Sequence, residues 1–368
     1  MALSVLPIAL FGGEEDGTVL TFAGRLEGTV RIQEKQLVVA GKPVPWAQTI
    51  MALMNSDRRT FRSPNVVWLK TGEVWHGETV GFSGGTLKFR SSILGKHEIE
   101  LEQIHRLDFT PIARLPRGAE KGTLYRLKEE AAPGSLLWID KKEISINSPF
   151  GVVTIPRDTA SLYILGPPPA PAAPKGAEVG LIDGSFLHGN AKMGSNKVTL
   201  EHSILGKLAL PVQVLRSLRP LNSSVIFLSD LKPHQIRGTP VFARDVPADW
   251  YFHRLTAPLQ IGKSRSRSAI RFSPKITVQY RLPDSTKGRK VNLSGIIGAV
   301  SDARGDTKLT LKAAGKVIYE TTVTASSEAR SFSVPIPTGN ELIIEVAFGS
   351  RPLFPCGVLL GDAVLVIK

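Results

Sequence analysis

Two stretches of this chain repeat one another, and the repeat limits what the first part of the chain can fold into. Residues 66–109 and 178–218 match in order at these positions: Gly72 with Gly184, His76-Gly77 with His188-Gly189, and 92–96 (SILGK) with 203–207 (SILGK). Two weaker copies, at 18–54 and 122–165, share the same plan of glycines. Self-similarity at a nearly fixed spacing indicates tandem structural units rather than one irregular domain.

Each copy predicts five short β-strands. Apolar and polar residues alternate in runs such as 86–90 and 197–201, as expected of half-buried strands. Glycine suits the turns between them because it adopts positive φ at no steric cost. Five strands in about 45 residues is the size of a small closed barrel. The pattern resembles the SH3-like or Sm-like β-barrel over roughly residues 18–220, and the resemblance implies spacer or interaction modules.

The aligned histidines His76 and His188 admit two interpretations. Their equivalent positions would suit a pair of ligands, but the other two copies carry Glu27 and Pro133 there, which argues against a shared site. The sequence therefore favours histidines that lie beside a turn glycine and hydrogen-bond their own backbone.

The chain is long enough for several modules. Its 368 residues exceed one ordinary domain, and the contents of glycine (34) and proline (26) are typical of a turn-rich β-protein. Five of the ten residues in 166–175 are proline, which predicts an extended linker that separates three copies from the fourth copy and the C-terminal module. The predicted boundaries are an apolar N-terminal segment at 1–17, β-repeats at 18–60, 64–112, 120–165 and 176–220, the linker at 166–175, and a β-sandwich at 225–368.

The apolar N-terminal segment is too short to span a bilayer. Residues 2–11 lack the positive charge that precedes the apolar part of a secretory signal, so they are either the remnant of a signal or a segment that packs on the first module. Since no apolar run of about 18 residues occurs elsewhere, we expect no transmembrane segment.

Longer strands without the repeat glycines begin at Val225. Three features stand out: FLSDLKP at 227–233 followed by TPVF at 239–242, a G-x-x-x-D-A-R-G-D loop at 298–306, and GDAVLV at 361–366. In order and span they resemble the NPCBM-type module, a carbohydrate-binding domain of the galactose-binding-like jelly-roll class. The resemblance implies a β-sandwich that engages a glycan, although Phe272 and Leu360 replace the histidine and tryptophan usual in that family.

One candidate sugar-binding segment is rich in aromatic side chains. It contains Trp250, Tyr251, His253 and Arg254. Aromatic faces stack on the C–H side of a pyranose, and convergent polar groups bind its hydroxyls. The alternative is a loop tucked over the sandwich.

A second group of candidates lies in loops between the predicted strands. Arg304, Asp306 and Arg351 occupy loops where modules of this kind place their ligand contacts. Asp302 and Asp306, with nearby backbone carbonyls, are also candidates to hold a structural calcium ion.

Positive charge is concentrated in the C-terminal module. The net charge is +14, and the run 263–290 contains nine basic residues and one acidic residue. Such a run either attracts polyanions or forms a solvated strand edge that resists aggregation. The candidate polyanion-binding residues are Lys263, Arg265, Arg267, Arg271 and Lys275. The single cysteine, Cys356, excludes a disulfide framework and predicts a small buried side chain.

No catalytic motif is present. The sequence has no nucleophile elbow, no phosphate-binding glycine loop before a helix, and no His-Glu-x-x-His, and the assigned modules leave no catalytic-sized domain. We therefore expect a non-enzymatic protein without a cofactor. The leading hypothesis is an extracytoplasmic binding or scaffold protein, periplasmic, surface-bound or secreted, whose barrels form a stalk or interaction array and whose sandwich binds a glycan or cell-surface polysaccharide. The alternatives are structural assembly with protein partners through the barrels and, less favoured, nucleic-acid binding through 263–290.

Overall fold

The computed structural model describes residues 15–54, 63, 65–110, 116, 118–127, 130–167, 176–238, 252–255, 259–339, 341–351 and 356–368. The chain divides into two compact units, Met1–Leu221 and Asn222–Lys368. Over the described residues, both units consist of antiparallel strands and short 3-10 turns, with no α-helix, which confirms the all-β prediction. No helical segment in this part of the chain is long and apolar enough to cross a membrane.

One order of strands recurs four times in the first unit. The first copy contains β1 (Glu15–Thr21), β2 (Gly24–Gln33), β3 (Gln36–Val39), β4 (Lys42–Pro45) and β5 (Thr49–Leu53). The second contains β6 (Asn65–Leu69), β7 (Val74–Ser83), β8 (Thr86–Ser91), β9 (Gly95–Glu100) and β10 (Ile104–Asp108). The third contains β11 (Thr123–Arg126), β12 (Ala131–Pro133), β13 (Ser135–Ile139), β14 (Glu143–Ser148), β15 (Gly151–Pro156) and β16 (Ala160–Ile164), and its β12 and β13 take the place of the single second strand of the other copies. The fourth contains β17 (Gly176–Leu181), β18 (Phe186–Gly194), β19 (Lys197–His202), β20 (Gly206–Pro211) and β21 (Leu215–Leu221).

Each copy closes on itself in the same way. In the first copy β1 pairs with both β2 and β5, while β3 lies between β2 and β4. A 3-10 turn leads into the last strand of every copy. The alternation in the sequence becomes alternating burial, because Leu87 and Phe89 of β8 face the core and Lys88 between them faces solvent.

The repeated glycines have two different roles. Gly72 and Gly184 lie in turns with φ of +86° and +96°, as predicted. Gly77 and Gly189, by contrast, lie inside β7 and β18, where those strands change partner from the first strand of the copy to the third. A Cβ would lie 2.5 Å from the carbonyl oxygen of Arg90 at Gly77, and 2.4 Å from that of Glu201 at Gly189. Close approach of backbones, rather than a turn, requires glycine at these two positions.

The four copies do not stay separate. The last strands of copies pair with each other, β5 with β21 and β10 with β16, so that the first copy joins the fourth and the second joins the third. One continuous hydrophobic core includes Val19, Trp75, Ile144 and Leu200, one from each copy. The fourth copy therefore belongs with the first three, which corrects the expectation that 166–175 separates it from them; residues 168–175 themselves lie outside the described part.

The second unit is a β-sandwich, as predicted. Its strands are β22 (Val225–Phe227), β23 (Gln235–Gly238), β24 (Phe252–Leu255), β25 (Leu259–Ile261), β26 (Ser264–Ser266), β27 (Ala269–Phe272), β28 (Ile276–Arg281), β29 (Val291–Ala299), β30 (Thr307–Ala313), β31 (Lys316–Val323), β32 (Arg330–Ile336), β33 (Glu341–Phe348) and β34 (Val358–Ile367). One sheet has the order β24-β27-β34-β29-β32, with β22 also on β34, and the other has β23-β28-β33-β30-β31. Side chains from both sheets form a shared apolar core.

The hairpin β25–β26 covers the outer face of the first of these sheets. The side chain of Ile261 packs where a Cβ at Gly298 or at Gly361 would lie 2.4 Å from it. Ile261 also joins a small second core with Ala269, Ile296 and Leu359. Two glycines in neighbouring strands thus provide the space into which the hairpin fits.

Candidate functional site

Several loops of the sandwich meet at one end. Phe272, at the end of β27, is opposite Val358, the first residue of β34, and Val358 is also opposite Ala299, the last residue of β29. In the other sheet, Thr307 at the start of β30 is opposite Phe348 at the end of β33. The chain segments that follow Phe272, Ala299 and Phe348 therefore emerge on the same side. We call this end the loop rim, defined by the described residues 273–275, 300–306, 349–351 and 356–357.

Asp306 holds two of these loops together. Its carboxylate accepts hydrogen bonds from Ser350 Oγ at 3.0 Å and from Arg351 Nε at 3.5 Å. Its backbone N–H donates to Arg351 O at 2.9 Å, and its carbonyl accepts from Gly349 N at 2.9 Å. Because Asp306 is only 4% exposed, its role in the structure is to anchor the loop rather than to face solvent.

Two arginines of the loop rim face solvent. The side chain of Arg351 is 70% exposed, although its Nε contacts Asp306, and Arg304 lies exposed in the loop that Asp306 ends. The structure therefore places Arg304, Asp306 and Arg351 at the same end of the sandwich. Guanidinium groups at such a position can donate several hydrogen bonds to hydroxyls or carboxylates of a ligand.

The aromatic-rich segment is only partly described. Trp250 and Tyr251 lie outside the described residues. His253 is exposed on β24 and lies opposite Arg271 of β27. Arg254 has a different environment, since its Nη2 donates to Leu231 O at 2.5 Å and its guanidinium lies 5.8 Å from the ring centre of Phe252. Arg254 is therefore engaged within the sandwich, whereas His253 faces solvent.

The structure does not gather the basic run 263–290 into one surface. Lys263 lies in the turn of the β25–β26 hairpin, where its Nζ is 3.2 Å from Glu328 Oε1 and both side chains are exposed. Arg265 is on β26, Arg271 is half-buried on β27, and Lys275 belongs to the loop rim. Arg267 follows the hairpin, and its backbone N–H donates to the buried carboxylate of Asp362 at 2.9 Å.

The last part of the basic run is at the opposite end of the sandwich. Arg281 ends β28 opposite Glu341, and Lys290 precedes β29, whose first residue is opposite Ile336 and Ile367. Since β28 runs away from the loop rim, the charges from 281 to 290 are a full strand length from Lys275. A ligand at the loop rim would meet only the first part of the run.

The two aspartates considered for calcium are not arranged as a ligand set. Asp302 is exposed, while the carboxylate of Asp306 is occupied by Ser350 and Arg351. Among the described residues, no group of three or more His, Cys, Asp or Glu side chains is placed to hold a metal ion. Cys356 is buried, as predicted, and burial raises the pKa of its thiol.

The repeat histidines take part in a contact between copies that the sequence did not reveal. The backbone N–H of His188 donates to Glu73 Oε1 at 2.8 Å, and that of His76 donates to Ser185 Oγ at 2.9 Å. Glu73 and Ser185 occupy equivalent positions, each directly after a turn glycine. The second and fourth copies therefore contact each other reciprocally. The predicted bonds from each histidine ring to its own backbone are not found in the described residues, where His188 Nε2 lies 3.6 Å from Glu178 Oε2 and His76 Nδ1 is buried without a partner.

A buried pair reinforces one side of this contact. His202 Nε2 lies 3.0 Å from Glu73 Oε2, and both side chains are almost fully buried. On the other side, Ser91 Oγ, at the position equivalent to His202, donates to Asp183 Oδ2 at 3.4 Å. The sequence gives one indication of this contact, the aligned acceptors Glu73 and Ser185. It does not indicate that Glu73 meets His202, which lies 129 residues further along the chain.

Comparisons with known proteins give distant structural likenesses only. No protein-family model matches the sequence, and no curated protein is significantly similar to it. Among solved structures, the CBM51 module of Clostridium perfringens GH95 in complex with methyl-galactose is 15% identical, with a TM-score of 0.31, covering 39% of this chain and 99% of that one. The tandem CBM51 modules of Sp3GH98, a family 98 glycoside hydrolase from Streptococcus pneumoniae, are 11% identical with a TM-score of 0.31, covering 82% and 88%.

A third solved structure contains CBM51-2 in complex with GlcNAc, with INT domains, from ZmpB of C. perfringens. It is 14% identical with a TM-score of 0.31, covering 51% of this chain and 38% of that one. The present chain thus spans well under half of the ZmpB fragment. Likeness of this degree assigns no ligand to the present chain.

Proposed function

We propose that this is a non-catalytic carbohydrate-binding protein in which the loop rim of the sandwich engages a glycan and the four-copy unit serves as a scaffold. The observation that carries the proposal is the pair of exposed arginines, Arg304 and Arg351, on loops that the buried Asp306 fixes. Because the loops are already fixed, binding of a ligand costs less conformational entropy than it would if the ligand had to order them. The NPCBM-type resemblance of the sequence points in the same direction.

The chemistry of the loop rim favours acidic sugars. Arginine binds carboxylates through two parallel hydrogen bonds, a geometry that a neutral hydroxyl cannot match. Residues 225–368 contain 20 Lys and Arg against 11 Asp and Glu, so the electrostatic field of this unit attracts anionic polysaccharides. We propose that Trp250 and Tyr251, which directly precede β24, supply the stacking surface for a sugar ring.

The proposal includes an extracytoplasmic location, where polysaccharides of this kind are accessible. The SH3-like or Sm-like and NPCBM-type assignments remain part of the proposal as well. Nucleic-acid binding through 263–290 is the less favoured alternative, because the basic residues of that run lie at different ends of the sandwich. Assembly with proteins through the four-copy unit remains a second candidate, favoured by the strand-edge pairing of its copies.

Affinity electrophoresis of the whole chain tests the proposal. Gels would contain an acidic polysaccharide such as polygalacturonate, a neutral galactan, or no polymer, and methyl-galactose and GlcNAc would serve as soluble competitors. Retardation by the acidic gel is expected at physiological ionic strength. Migration unchanged in every gel would overturn glycan binding, while equal retardation by any polyanion, including single-stranded DNA, would support the nucleic-acid alternative instead.

A further inference from the structure

The next-to-last strand of each copy has a free edge. Among the described residues, β4 pairs only with β3, β9 only with β8, β15 only with β14, and β20 only with β19. A free edge presents unpaired backbone N–H and C=O groups to any other strand that approaches it. Natural proteins protect such edges with charged side chains, especially lysine, or with proline.

Three of the four copies carry that protection. A glycine-lysine pair opens the fourth strand at Gly41-Lys42, Gly95-Lys96 and Gly206-Lys207, and all three lysines are exposed. β4 also contains two prolines, and β9 contains Glu98 and Glu100. These edges are therefore poor partners for strand addition.

The third copy lacks this protection of its free edge. Val152 stands where the other copies have lysine, and no charged residue occurs between 144 and 156. Phe150 is 96% exposed, Val152 66% and Val153 36%. These apolar side chains lie at the start of β15 and in the turn before it, so the one uncharged free edge among the four also presents apolar surface.

We propose that β15 is the docking edge for a second copy of this chain, which adds to it by antiparallel strand pairing. The chain already joins its own repeats in this manner, since β5 pairs with β21 and β10 with β16, each an antiparallel pair of equivalent strands. Pairing of β15 with β15 around a two-fold axis extends the same mode to a contact between molecules.

The chemistry of β15 fits a copy of itself better than a charged partner. Two copies of an uncharged strand meet without opposing like charges, even though the whole chain carries +14. β-Branched residues such as Val152, Val153 and Thr154 stabilise antiparallel pairs when they face each other across strands. A partner selected by charge would find no counter-charge on this strand.

Sedimentation velocity of the full chain, from about 5 to about 500 μM, tests the proposal over the range expected of a small interface. The weight-average mass is expected to rise from 39.8 kDa towards twice that value. Val152→Lys, which introduces the residue of the other three copies, is expected to keep the protein monomeric throughout. Val317→Lys is the matched control, because Val317 is 55% exposed on β31, which pairs only with β30 among the described residues.

Each result of these measurements either supports or overturns strand pairing at β15. A monomer at every concentration, or equal association of the wild type and V152K, overturns the proposal, and so does loss of association in V317K. A peptide of sequence 149–158 (PFGVVTIPRD) provides a measurement that needs no variant: it is expected to dissociate the dimer, whereas a scrambled peptide is not. Association that resists the peptide also overturns strand pairing at β15. None of these results depends on whether the loop rim binds glycans.

Discussion

Glu73 and His202 meet across the contact between the second and fourth copies, with His202 Nε2 3.0 Å from Glu73 Oε2 and both side chains buried. Glu73 also accepts the backbone N–H of His188 at 2.8 Å. A single carboxylate thus satisfies two donors that belong to another repeat. This arrangement concentrates two of the hydrogen bonds between these copies on one acidic residue.

Replacement of that residue should therefore destabilise the first unit. Glu73→Ala leaves the His202 ring and the His188 N–H without their acceptor, and we expect the free energy of unfolding to fall by about 3 kcal/mol. Urea denaturation, monitored by tryptophan fluorescence, measures the change in the free energy of unfolding. Glu98→Ala, which removes an exposed carboxylate on β9, is the control and should alter stability little. Equal effects of the two variants would contradict the role assigned to Glu73.

The first unit should lose stability in mild acid. Burial lowers the pKa of His76, whose Nδ1 is buried and has no hydrogen-bond partner among the described residues, and burial likewise lowers the pKa of His105. The unfolded chain therefore binds protons that the folded chain does not. Stability is complete above the unfolded imidazole pKa of about 6.5 and falls as the pH drops through it towards the lowered folded values.

Urea midpoints at about pH 7.5 and about pH 5.5 measure this loss on either side of the imidazole pKa. Tryptophan fluorescence reports mainly on the first unit, which contains four of the five tryptophans. His76→Gln should reduce the difference between the two midpoints. His234→Gln, at an exposed position, should leave it unchanged. A midpoint that is the same at both pH values would show that these histidines are not desolvated as described.

A methyl group at Gly77 should be poorly tolerated. In Gly77→Ala the new Cβ would approach the carbonyl oxygen of Arg90 to 2.5 Å and the ring of Phe89 to 2.4 Å. We expect a loss of about 2 kcal/mol in the free energy of unfolding, because neither the backbone nor the buried ring can move away freely. Gly194→Ala is the matched control, since its nearest neighbour would be Lys197 Cγ at 3.5 Å. If both variants unfold at the same urea concentration, the steric explanation is wrong.

Arg351→Ala should weaken binding to acidic polysaccharide. Loss of a charge-assisted hydrogen bond predicts a decrease in affinity of about tenfold. Affinity electrophoresis measures it, with Arg289→Ala as a control that removes the same charge from the opposite end of the sandwich. A similar loss in both variants would indicate general electrostatic attraction rather than contact at the loop rim.

The sequence was most informative where a structural requirement is local. Positive φ at Gly72 and Gly184 and alternating burial in β8 follow from turn chemistry and residue periodicity. The clustering of Arg304, Asp306 and Arg351 could also be predicted, because loops between consecutive strands of a sandwich emerge at its ends. The burial of Asp306 could not, since it depends on how the loop at 349–351 folds back upon it.

The sequence patterns do not predict which strands and side chains from distant parts of the chain meet. No local signal indicates that β5 pairs with β21, or that Glu73 meets His202, because these partners are far apart in the chain and specify each other only through packing. The prediction that Gly77 and Gly189 lie in turns was wrong for the same reason. Each glycine is required by a backbone on a neighbouring strand, whereas a turn would have been the local explanation.

The pairing of β5 with both β1 and β21 has a consequence for where the chain enters and leaves the first unit. Thr18 and Ser217 are 199 residues apart in the chain, yet both lie opposite Leu53. They are therefore separated by only two strand spacings, about 10 Å. Because β1 and β21 both run antiparallel to β5, they run parallel to each other, and Glu15 at the start of β1 and Leu221 at the end of β21 lie at opposite ends of these three strands. The chain therefore enters the first copy at one end of these strands and leaves the fourth copy at the other end, although the two strands are near neighbours.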